Sequence, residues 1–196
     1  MRCPSVQAMA EILLFHHARG LTPGVLEFAE RLRAAGHTVH TPDLYEGHTF
    51  DDLDQGIAFA KETGFATIGQ RGLAAANGLP DALVYAGFSL GVPSAQELAQ
   101  TRPGARGALL YHGAFPTEEF EKPWPDGVPL QIHVMADDEL GDVELCQGLA
   151  AEVEGAELFL YPGSGHLFAD PGSVDYDPQA ARQLTERSLE FLQSLG

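Results

Sequence analysis

The sequence predicts an α/β domain with a mostly parallel sheet covered by helices on both faces. Three observations lead there. Short apolar runs alternate with longer stretches whose apolar residues recur at helical spacing. Turn and capping residues fall between the two kinds of stretch. The chain is 196 residues long, 44% hydrophobic and 20% charged, which suits one small core-bearing domain without a large cap and does not suit a disordered chain.

Residues 12–15 form the first apolar run and read as a strand, followed by a loop at 16–20. Residues 22–35 carry Val25, Leu26, Phe28, Ala29, Leu32 and Ala35 at helical spacing, with Thr22 as N-cap, Pro23 at the first helical position and Gly36 as the stop. Residues 37–40 are a second strand. Between 44 and 80 the pattern is weaker: aspartates 51, 52 and 54 precede an apolar stretch at 57–60, and 73–76 looks helical, so two helical segments are expected. Residues 83–86 are a buried-type strand and 92–100 a helix. Strands follow at 106–111 and 130–135, separated by a loop holding Trp124 between two prolines. A helix at 143–153, a strand at 157–161 and a helix at 178–195 complete the chain. There is no internal repeat, low-complexity tract or linker.

The net charge is −17, and an acidic surface repels phosphate backbones and anionic lipid, so neither nucleic acid nor membrane is an expected partner. Two cysteines, Cys3 and Cys146, make no disulfide framework, and Cys3 sits in an N-terminus expected to fray. No apolar run is long enough to span a bilayer, and the start lacks the hydrophobic region and cleavage site of a signal peptide. A cytoplasmic protein, monomeric or homodimeric, is expected.

Gly87-Phe88-Ser89-Leu90-Gly91 matches G-x-S-x-G, with a strand before it and a helix after it. In that setting a serine sits on a sharp turn above the sheet edge, and the next N–H, of Leu90, faces a developing oxyanion. The competing reading is a glycine-rich turn with a helix-capping serine. A nucleophilic serine needs a base, and the base an orienting acid. The chain supplies both in the order that α/β hydrolases require. Ala136-Asp137-Asp138-Glu139 follows the strand at 130–135, and Pro162-Gly163-Ser164-Gly165-His166 follows the strand at 157–161. Asp138 is preferred over Asp137 because it lies three residues beyond the strand end. Asp142 is better placed to cap the next helix.

Of the remaining histidines, His37, His40 and His133 lie in or beside strands and read as packed or surface residues. His48 and His112 are loop residues without an evident partner. His16 and His17 are adjacent on an extended segment and point to opposite sides, so they would not share a metal. No H-E-x-x-H or paired-cysteine spacing suggests zinc, and no metal or other cofactor is expected.

Taken together, ILLFHHARGLTPGV, HTVHTPDLYEG, VYAGFSLG, QIHVMADDEL and YPGSGHLFAD resemble the dienelactone hydrolase family of α/β hydrolases. The resemblance implies an α/β-hydrolase fold and a triad in which Ser89 takes the nucleophile's place, His166 the base's and Asp138 the acid's. Two positions depart from the family pattern. Serine replaces the cysteine of well-known members, and His17 stands where they place a glutamate. The resemblance further implies the N–H of Ala18 as second oxyanion donor. Arg19 could meet a substrate carboxylate, though a loop arginine is more often solvated. His17, Phe88, Phe115, Trp124 and Phe168 are candidates for substrate contact.

The expected function is hydrolysis of a small ester or lactone through an acyl-enzyme on Ser89. The alternatives are an idle scaffold of the same fold that binds a ligand or partner, and a nucleotide-binding α/β protein. The latter is disfavoured by the absence of G-x-G-x-x-G and P-loop motifs.

Overall fold

The computed structural model describes residues 9–196, so Cys3 and the rest of the first eight residues lie outside it. Among the described residues there are six strands: β1 (Glu11–Phe15), β2 (Thr38–His40), β3 (Val84–Phe88), β4 (Gly107–Tyr111), β5 (Leu130–Met135) and β6 (Glu157–Tyr161). They form one sheet in the order β2-β1-β3-β4-β5-β6, and every pairing is parallel.

Six helices cover the sheet: α1 (Pro23–Ala34), α2 (Leu53–Thr63), α3 (Phe65–Ala74), α4 (Val92–Thr101), α5 (Val143–Glu152) and α6 (Pro178–Ser194). The period-two alternation of the strands divides the core into two layers. Leu13, Phe15, Tyr85, Leu110, Ile132 and Val134 face α2 to α5. Ile12, Leu14, Val84, Ala86, Phe88 and Tyr111 face α1 and α6.

Local chemistry sets several element ends. The Thr22 hydroxyl accepts from Val25 N at the start of α1, and Pro23 occupies its first turn, as the sequence predicts. Asp142 caps α5 by accepting from Leu145 N. Five strand boundaries differ from expectation by one or two residues, β1 starting one residue earlier at Glu11 and β3 one later at Val84. β3 continues past Ala86 through Gly87 to Phe88, because Gly87 pairs with both neighbouring strands. β2 begins at Thr38 and not at His37, whose N–H closes the end of α1 on the Leu32 carbonyl. β4 begins at Gly107, after Arg106 N has bonded to the Leu83 carbonyl.

From β1 the chain turns to β2 on one side of the sheet, and from β3 onward it builds toward the other. The loops leaving β1 and β3 therefore diverge at their C-terminal ends, which opens a crevice between them.

Candidate active site

Ser89 stands directly after β3, in a short 3₁₀ turn (Ser89–Gly91) that leads into α4. Its φ is +46°, a left-handed conformation that costs a side-chain-bearing residue about 1 kcal/mol or more. The flanking glycines make the turn sterically feasible. A Cβ on Gly87 would meet the Gly91 carbonyl oxygen at 2.4 Å, and one on Gly91 would meet Phe15 Cβ at 2.6 Å. Strand and helix can approach this closely only without those side chains.

The turn brings the Ser89 hydroxyl 2.7 Å from His166 Nε2, across 77 residues of sequence. His166 Nδ1 lies 2.8 Å from Asp138 Oδ2, and Asp138 Oδ1 accepts from Leu140 N at 3.0 Å. With its Nδ1–H given to the carboxylate, the imidazole presents the Nε2 lone pair to the serine O–H. Asp138 and His166 are both buried, whereas Asp137 is exposed and only its backbone N–H is engaged, on the Gly163 carbonyl. Such an arrangement can move a proton from the hydroxyl to the imidazole and stabilise the imidazolium formed.

Ser89 and His166 open onto a cavity of about 400 Å³ that Ala18 and Leu90 also line. In the loop after β1, the Arg19 N–H donates to His17 Nδ1 and the Gly20 N–H to the His17 carbonyl. Neither bond uses the Ala18 N–H. α2 abuts this loop at Gly56, where a Cβ would lie 2.0 Å from the Ala18 carbonyl oxygen.

Several expected substrate contacts lie elsewhere. His17 is 1% exposed, and its Nε2–H donates to Asp170 Oδ2 at 2.7 Å. Burial favours the neutral ring and pushes His17 below its ordinary value. Burial alone would raise Asp170, but His17 and Thr22, with the Gly172 N–H, hold it down to about 2. Arg19 is neither solvated nor free for a substrate: it is 5% exposed, with Nε on the Phe50 carbonyl and one terminal nitrogen on Asp170.

Phe88 faces away from the cavity, because its parity in β3 sends it toward α1, where it packs edge-on against Phe28. Phe168 is fully buried against His112 and Tyr161. Trp124 packs on the core and donates to the Val128 carbonyl. Of the aromatic side chains expected to touch substrate, Phe115 does line the cavity.

Two residues at the site were not singled out by sequence. Asp170, the partner of His17, lies four positions after His166, but no spacing rule marks it. His112 follows β4 and lines the cavity, with its ring centroid 5.9 Å from that of His166. His16, by contrast, is structural. Its Nε2 accepts from Leu44 N, its Nδ1–H is given to the His17 carbonyl, and burial lowers it to about 4. Among the described residues no cluster of three or more metal-ligating side chains is found, and no helix is long and apolar enough to cross a membrane.

A parallel sheet wound in this order, with the serine turn after β3 and the acid and histidine loops after β5 and β6, defines an α/β hydrolase. The chain belongs to the dienelactone hydrolase family, whose model matches residues 3–196.

Solved structures agree on the fold. A dienelactone hydrolase-like promiscuous phosphotriesterase from metagenomic libraries superposes with a TM-score of 0.73 at 21% identity, over 95% of this chain and 86% of that one. Dienelactone hydrolase from Anabaena variabilis gives 0.71 at 19% identity, over 96% and 88%. The α/β hydrolase domain-containing protein 10 from mouse gives 0.69 at 13% identity, over 100% and 93%. No curated protein sequence matches the chain significantly.

Proposed function

We propose that the protein is a serine hydrolase that cleaves a small ester or lactone through an acyl-enzyme intermediate. The observation that carries this reading is the continuous hydrogen-bonded line from Ser89 Oγ through His166 to Asp138, opening onto the cavity. In the first half-reaction Ser89 Oγ attacks the carbonyl carbon while His166 Nε2 takes the hydroxyl proton. Collapse of the tetrahedral intermediate breaks the bond to the alkoxy oxygen, which leaves with the proton from His166.

In the second half-reaction His166 takes a proton from water, the hydroxide oxygen attacks the acyl carbon, and the acid departs as Ser89 regains its proton. Asp138 keeps the imidazole in the tautomer that both steps need. The N–H groups of Ala18 and Leu90 bind the oxyanion, a contribution of about 3–4 kcal/mol for each donor in serine hydrolases. The reaction uses no cofactor.

Ser89→Ala tests this directly. With p-nitrophenyl acetate, kcat is expected to fall by about 10⁵-fold or more. A variant that retains most of the wild-type rate would remove Ser89 from the mechanism.

A further inference from the structure

The cavity beside Ser89 is lined mostly by apolar groups. Three of the seven large apolar side chains exposed on the described surface, Phe65, Phe115 and Leu140, stand around it. Among the described residues no lysine or arginine lines it. Arg19, beside Ala18 in the chain, is sealed onto Asp170 and the Phe50 carbonyl. The one carboxylate on the lining is Asp142, at the exposed start of α5. A second carboxylate carried by a substrate would lose water there and gain no cation, on a protein of net charge −17.

His112 borders this space, but its ring packs into the core and neither ring nitrogen is exposed to the cavity, so it adds no polar contact for a bound ester. His112 is 2% exposed, and neither of its nitrogens has a hydrogen-bond partner among the described residues. Its φ is +69°, so the backbone holds a strained conformation at this position. The ring is clamped, stacked on Phe88 at 5.6 Å and edge-on to Phe168 at 4.7 Å. Burial pushes it well below the ordinary histidine value, so it is neutral.

We propose that the cavity binds uncharged esters with apolar acyl chains and discriminates against esters bearing an ionised carboxylate. The proposal rests on the serine-hydrolase reading for the direction in which the ester faces Ser89.

The test uses Ser89→Ala, which cannot form an acyl-enzyme, titrated calorimetrically with ethyl hexanoate and with monoethyl adipate. The two esters share acyl length and differ by a terminal carboxylate. Ethyl hexanoate is expected to bind at least ~10-fold more tightly. Equal or tighter binding of monoethyl adipate, or no binding of ethyl hexanoate, overturns the substrate class. If Ser89 is not the nucleophile, the wild-type protein fails to react with a fluorophosphonate while the binding contrast persists, so the two failures are distinct.

Discussion

His17 and Asp170 are joined by a 2.7 Å hydrogen bond across 153 residues of sequence, and both side chains are buried. The bond ties the loop that carries Ala18 to the loop that carries His166. Thr22 and Arg19 also donate to the same carboxylate oxygen. Asp170→Asn removes the charge that all three share and leaves Arg19 buried without its counter-ion. The expected result is a loss of about 2–4 kcal/mol of stability by urea denaturation, with a lower kcat toward p-nitrophenyl acetate.

Asp170 also gives the wild type an acid limit. Its carboxyl is held at about 2 in the folded protein against 3.8 for the unperturbed group. The unfolded chain therefore binds the proton more readily, and the stabilisation is complete above about pH 4 and lost as pH falls toward 2. The buried histidines act at higher pH. Burial lowers His16 to about 4 and His133 to about 3, against an ordinary 6.5. Below about pH 6.5 the unfolded chain takes up protons that these folded rings refuse, so stability decreases as pH falls. Urea midpoints measured from pH 8 to pH 5 are expected to decline, with roughly 2 kcal/mol attributable to each ring at pH 5. A flat profile over that range would contradict their neutral burial.

The glycines of the serine turn make a third prediction. Gly91→Ala places a methyl group against the Phe15 backbone and Cβ, where neither side can yield easily. Stability should fall by about 1–3 kcal/mol, and the serine should shift enough to lower kcat. Gly148→Ala is the matched control. It lies in α5 with nothing within 4 Å of the added Cβ, and should stabilise the protein by about 0.5–1 kcal/mol.

The two neighbouring aspartates separate by function. Asp138→Asn deprives His166 of its acceptor and should reduce kcat by about 10³–10⁴-fold. Asp137→Asn alters an exposed side chain and should leave kcat within about threefold of the wild type.

What the sequence made legible was chemistry that is local in the chain. Thr22-Pro23 and Gly36 bracket α1, and Asp142 caps α5, because caps and stops depend on a few adjacent residues. The glycines around Ser89 and the loops at 136–139 and 162–166 could be read in order, because each follows a strand. Contacts made only by folding were not legible. Nothing near Asp170 marks it as the acceptor of His17, and nothing near His112 marks its nitrogens as unpaired. Residues 44–80 supply Ile57 and Phe65 to the cavity from α2 and α3, a placement that depends on how these helices pack over the sheet and not on any local signal. Phe88 is a different case. It shares parity with Val84 and Ala86, so strand alternation alone assigns it to the α1 and α6 layer.

The central claim is that Ser89 is the nucleophile, and covalent labelling tests it most directly. Wild-type protein treated with a fluorophosphonate and digested should carry one adduct, on the peptide containing Ser89, and Ser89→Ala should carry none. A folded wild-type protein that takes up no label, or takes it up at another residue, would contradict the account.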